Sequence, residues 1–100
     1  LGNRNVMAAG YTRGFNFLPG TAIDQHMLQR DRFGDMIKVI QRYPQLLGIG
    51  IDERTAVVIR GSQATVTGRH QVHFFNAPSG EYQSLSAGQS YELIKRRRIQ

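Results

Sequence analysis

Asp24, Gln25, His26 and Glu53 are the residues of this chain whose types and spacing suit proton-transfer chemistry. An imidazole can carry a proton in either direction near neutral pH. A carboxylate bonded to one of its nitrogens leaves the other free to act as a general base. His26 and Glu53 lie 27 residues apart, each at the end of an expected element. A helix followed by a returning strand can bring two such ends to one edge of a sheet. The pair would supply two thirds of a hydrolytic triad and leaves the nucleophile to be found. Simpler readings stand beside this one: Asp24 as a helix cap, His26 as an exposed imidazole, and Asp52-Glu53-Arg54 as a polar turn into the next strand.

Other reactive side chains fit less well. Ser84-Leu85-Ser86-Ala87-Gly88 has the look of a nucleophile elbow. An elbow needs Gly two residues before the serine, a strand before it and a helix after it. Position 84 is Ser, and Gln89–Ile94 does not read as a helix. His70 and His73 are three apart in or beside a strand, so they point to opposite faces and do not suit a shared metal. Both are expected to be outward-facing structural histidines.

The elements that must position these groups follow from pattern. Asn3-Arg4-Asn5 reads as a turn, Val6–Ala9 as a short buried strand or helix end, and Gly14–Leu18 as a short strand. Pro19-Gly20 marks a turn. Thr21 or Asp24 can then cap a helix starting near Ile23 or Gln25. Phe33, Met36, Ile37 and Ile40 recur at helical spacing, with Lys38 and Arg42 off the stripe. Gly34 is a weak point in that helix and a sign of close packing or a kink. Pro44 stops the helix near Tyr43.

Leu47–Ile51 alternates branched residues with glycine, the period of a strand with one bare face. Another backbone or a substrate can approach that face. Ala56–Ile59 reads as a strand covered on both sides. Ala64–Thr67 and Gln71–Phe75 are further strands, Asn76–Gly80 a loop, and Leu85, Tyr91 and Leu93 edge contacts of a final extended segment. The second half is strand after strand; the first holds the one convincing helix.

Composition bounds the rest. One hundred residues with 40% hydrophobic content suit one small domain or part of a larger one. Zero cysteines exclude a disulfide framework, a thiolate nucleophile and a cysteine zinc site. No apolar stretch approaches the roughly 20 residues of a spanning helix, so no membrane partner is expected. The net charge is +6, but Lys95-Arg96-Arg97-Arg98 supplies four of the thirteen basic residues, and without it the balance is +2. Such a run reads as a solvated tail rather than a nucleic-acid footprint, which needs a folded basic patch with interleaved aromatics. The start, LGNRNVMAAGYTRG, carries no signal pattern and no initiating Met, and the chain is expected to be the inside of a longer product.

Phe17–His26, continuing through Gln29-Arg30-Asp31-Arg32, resembles a signature of cyanophycinases and related serine exopeptidases. Leu46–Glu53, followed by Thr55-Ala56, is similar to the second signature of that family, in the same order and separation. The resemblance covers Gly14 to about Phe75. It implies an α/β fold: the C-terminal part of an αβα sandwich resembling class I glutamine amidotransferases, strand-rich in its second half. It also implies a Ser-His-Glu triad with His26 and Glu53 as base and acid and the serine on an elbow upstream. Asp24, Gln25, Arg30 and Arg32 match further active-site positions. The implied activity is cleavage of β-aspartyl-type peptide links, in a dipeptide or in a polymer of aspartate carrying arginine. Asp35 stands where the family favours a third basic residue, and a carboxylate there would repel acidic substrate groups.

Residues 1–94 are therefore expected to be the C-terminal part of one hydrolase domain and 95–100 a basic tail. No cofactor or metal is called for. The expected partners are the peptide substrate, the upstream part of the same product and a second copy in a homodimer, with no nucleic acid. The alternative is a non-catalytic binding or assembly subunit of the same fold whose upstream serine is lost.

Overall fold

The computed structural model describes residues 4–8, 20–25, 32–76 and 81–99. The described residues form an α/β arrangement of one helix and two sheets. The strands are β1 (Arg4–Ala8), β2 (Thr21–Asp24), β3 (Leu47–Ile51), β4 (Thr55–Arg60), β5 (Gln63–Gly68), β6 (Gln71–Phe75), β7 (Tyr82–Ser86), β8 (Ser90–Glu92) and β9 (Arg97–Ile99); the helix, α1, is Arg32–Arg42. One sheet runs β1-β4-β5-β8-β9 and the other β2-β3-β6-β7. Among the described residues the pairings are antiparallel except β2 with β3, which is parallel.

The alternation of β3 explains the layering. Leu47, Ile49 and Ile51 point into a core shared by both sheets, where they meet Val57, Ile59, Val66, Phe74 and Tyr91. Gly48 points the other way, and α1 lies on it. A Cβ at Gly48 would stand 2.8 Å from Met36 Sδ and 3.1 Å from both Ile40 Cδ1 and Phe75 Cβ. The bare face of the strand is thus where the helix comes close. Met36, Ile40 and Phe75 are buried there, with Phe33 and Ile37 packed against them, so the apolar stripe does what its spacing predicts. Asp35 in the first turn and Arg42 in the last complement the helix macrodipole. The helix ends at Arg42, one residue before Tyr43, as Pro44 requires.

Several expectations need correction. Thr21–Asp24 is a strand, not a helix start: its side chains alternate between the two sides of the sheet, with Ile23 packed in the shared core and Ala22 under α1. Its backbone is held by parallel pairing to β3, which outweighs any cap at Thr21 or Asp24. Arg4 and Asn5 extend β1 rather than turning, since they pair with Arg60 and Ile59. In β4, Val57 and Ile59 are buried while Ala56 and Val58 are half-buried, so one face dominates. Leu85 and Tyr91 are core residues; Tyr91 stacks on Phe74 with ring centres 4.0 Å apart and planes 8° from parallel. Gly34 is exposed, and a Cβ there would meet nothing within 4 Å, so close packing does not explain it. The basic run is not wholly a tail: Arg97–Ile99 pairs with β8, although these side chains stay exposed. The expected strand at Gly14–Leu18 lies outside the described residues.

Candidate functional site

The parallel pair β2–β3 sets the site. Asp24, the last residue of β2, lies opposite Gly50, and Ala22 opposite Gly48. Both strands therefore end at the same edge. Gln25 follows one and Asp52-Glu53 the other. Carboxyl ends of adjacent parallel strands are where α/β proteins gather ligand-binding groups. Asp24 and Gln25 are half-buried, and Glu53 is exposed in the turn between β3 and β4. Arg32 opens α1. His26 and Arg30 lie outside the described residues.

The row containing Asp24 continues across the sheet. Gly50 pairs with His73 on β6, and His73 with Ser84 on β7. In-register partners share a face, so Asp24, His73 and Ser84 all lie on the face that α1 covers. Asp52, two residues beyond Gly50, joins them. His73 Nε2 lies 2.8 Å from Asp52 Oδ1, and His73 Nδ1 lies 2.7 Å from Ser84 Oγ. The Gln71 N–H donates to Asp52 Oδ2 at 3.0 Å. Asp52 is 2% exposed and His73 4%. Phe33, in the first turn of α1, sets its ring edge-on to the imidazole with centroids 4.7 Å apart.

His73 is therefore not an outward-facing histidine. Alternation in Val72-His73-Phe74 does place it opposite the core face, but α1 and Phe33 cover that face as well. Sequence reasoning also missed Ser84 and the burial of Asp52. The available signal was glycine at 48 and 50, which marks a face where something packs closely. The result is an acid–imidazole–hydroxyl chain. Its nitrogens are swapped relative to a serine-hydrolase triad, in which the acid meets Nδ1 and the hydroxyl meets Nε2. Ser86 closes β7 as an exposed residue, its Oγ accepting from Gln71 Nε2 at 3.3 Å. Among the described residues no cluster of three His, Cys, Asp or Glu is placed to hold a metal ion.

The turn beyond β3 is tied from the β5–β6 turn. The Thr55 hydroxyl donates to the Glu53 carbonyl at 3.1 Å and accepts from the His70 N–H at 3.0 Å. The Arg69 N–H donates to the Arg54 carbonyl at 2.9 Å, and Arg54 is held at φ 59°. Away from this edge, a cavity of about 410 Å³ is lined by Phe74, Tyr82, Tyr91, Arg96 and Arg97 among others. Burial pushes the Tyr91 hydroxyl up to about 12, and the Arg96 charge pulls weakly the other way.

Part of the chain is similar to known proteins. A 45-residue stretch is 42% identical to a cyanophycinase of Trichormus variabilis, covering 45% of this chain and 15% of that protein. A stretch of 47 residues is 36% identical to a cyanophycinase of Geminocystis herdmanii, covering 47% of this chain and 17% of that one. The crystal structure of a peptidase from an acI-B1 Actinobacterium matches with a TM-score of 0.53 at 30% identity, over 81% of this chain and 34% of that chain. Over part of its length, the chain resembles the cyanophycinase-like peptidases. It spans about a sixth of the length of the curated cyanophycinases it matches. No family model matches it.

Proposed function

We propose that the protein containing this chain is a cyanophycinase-like hydrolase, a serine-type exopeptidase that cleaves β-aspartyl-type peptide links. Its domain is an αβα sandwich of the class I glutamine amidotransferase kind. In this reading His26 takes the proton from an upstream serine as that oxygen attacks the scissile carbonyl, then gives it to the leaving amine. Water repeats the cycle on the acyl-enzyme. Glu53 orients the imidazole and stabilises its cationic form. Asp24 and Gln25 hold polar groups of the substrate, and Arg30 and Arg32 take its carboxylates as two-pronged donors.

The observation that supports this most is the parallel register of β2 and β3, which brings Gln25 and Glu53 to one edge although 27 residues separate the neighbouring His26 from Glu53. The test is hydrolysis of a β-aspartyl-arginine dipeptide by the full-length protein. His26→Ala should lower turnover by on the order of 10⁴–10⁶, by analogy with triad removals in serine hydrolases. Glu53→Gln should cost less, on the order of 10²–10⁴, and the double variant little more than His26→Ala, because the two act as one unit. A folded His26→Ala protein keeping more than about a tenth of wild-type turnover would contradict the triad, whose base carries most of that loss.

A further inference from the structure

We propose that Asp52, His73 and Ser84 form a positioning chain that fixes the turn carrying Glu53, and so governs the turnover of the hydrolytic site without touching substrate. The inference rests on the hydrolase reading and extends its machinery to β6 and β7.

Burial and bonding carry it. Asp52 is enclosed, and a buried carboxylate is tolerated only when its oxygens are bonded. Oδ2 takes the Gln71 N–H and Oδ1 takes His73 Nε2. Because a carboxylate can only accept, Nε2 must carry the proton. In the neutral ring Nδ1 is then bare and accepts the Ser84 hydroxyl proton. The members hold one another: Asp52 fixes the tautomer, the Ser84 hydroxyl holds the ring's other nitrogen and so its orientation toward Asp52, and Asp52 is covalently joined to Glu53. The ring cannot tilt freely, since Phe33 lies against it.

The far side of the turn is secured as well. Asp52 N–H donates to the Gln71 carbonyl at 3.0 Å, and Arg69 and His70 hold Arg54 and Thr55. An exposed acidic side chain thus projects from a backbone clamped on both sides. A triad acid needs such a base, because its value lies in orientation. A second acid–imidazole–hydroxyl chain of this kind has no such use if it is only one more buried polar cluster.

The experiment measures kcat and KM of the full-length protein on the dipeptide substrate, with active sites counted by burst titration with a fluorophosphonate. His73→Phe keeps the ring and its packing but removes both nitrogens. It should lower kcat per titrated site by about 10–100-fold, the scale of a misplaced catalytic group, with KM within about threefold. Ser84→Ala, which deletes one hydroxyl and should fold normally, should lower kcat per site about 3–10-fold by the same argument, and Ser84→Thr should restore it. A merely structural role would reduce the number of titratable sites and the melting temperature while leaving kcat per site unchanged; that result overturns the proposal. Probe attached to Ser84 itself would also overturn it, by making Ser84 a nucleophile. His26→Ala is run alongside. If it is inert while His73→Phe and Ser84→Ala turn over normally, the positioning chain alone is wrong. If His26→Ala is active, the hydrolase reading has failed and the chain's proposed purpose with it.

Discussion

Gly68→Ala should damage this protein far more than a single methyl group suggests. Gly68 closes β5 at φ +115°, a backbone conformation that L side chains rarely adopt. A Cβ there would stand 2.5 Å from the Arg54 carbonyl oxygen and 2.7 Å from Thr55 Cα. Both atoms are backbone, so no side-chain rotation relieves the contact; the β3–β4 turn must move or β5 must bend. Backbone strain at such a φ costs on the order of 1–3 kcal/mol, and overpacking commonly adds about 1–3 kcal/mol. Together they give a total of roughly 2–6 kcal/mol. In a domain of 150–250 residues that corresponds to a fall in Tm on the order of 10 °C. The displaced segment carries Glu53, the proposed triad acid, so on that proposal turnover should fall along with stability, measured below the new Tm. Gly34→Ala is the control. It adds the same atoms in an exposed helix position with nothing within 4 Å, and should stabilise by about 0.5–1 kcal/mol. The assay is thermal unfolding of the full-length protein with hydrolysis measured in parallel. If Gly68→Ala melts within 2–3 °C of wild type, less than about 1 kcal/mol by the same scaling, the close approach between the two turns is not rigid and the clamped-turn argument collapses.

Two further outcomes follow from the second half of the chain. The Tyr91 phenol titrates near 10 when unfolded and at about 12 in the fold, so its contribution to stability is complete below pH 10 and is lost as the pH rises toward 12. Tyr91→Phe should flatten that part of the stability–pH curve, and an unchanged slope in urea unfolding at pH 9–12 would refute the assignment. Arg96 Nη2 donates to the Gln45 carbonyl at 2.9 Å, tying the last hairpin to the segment after α1; Arg96→Ala should cost about 1 kcal/mol with kcat/KM within twofold, and a large loss of kcat/KM would mean that the basic run reaches the substrate.

The fold was legible wherever one residue pattern had one explanation. The α1 stripe and its stop before Pro44 were clear because periodicity and a backbone restriction agreed. Leu47–Ile51 and Gln71–Phe75 were clear because alternation and β-branching agreed. Thr21–Asp24 was misread because Thr and Asp after Pro-Gly are strong cap signals, while the force that makes this segment a strand is its pairing with β3, more than twenty residues away. Arg97–Ile99 was misread for a similar reason: charge argues for solvent, and the side chains do face solvent, but the backbone finds partners on β8. Local propensity gives way to distant pairing in both places.

The site shows the same division more sharply. Asp24, Gln25 and Glu53 could be picked out because each follows or ends an apolar run, and position in the chain is visible. Asp52, His73 and Ser84 could not, because their meeting depends on three registers at once: β3 with β6, β6 with β7, and α1 over Gly48. A slip of one residue between β3 and β6 would turn His73 toward the apolar core and leave Asp52 buried without its imidazole, and a slip between β6 and β7 would take Ser84 away from His73. That penalty runs in both directions. The Asp52–His73 bond is worth little as a contribution to stability when both groups could be replaced by apolar ones, yet it makes the wrong registers costly. Its effect is therefore to select the alignment of β3 with β6 in which His73 stands opposite Gly50, on the face that α1 covers, within reach of Asp52.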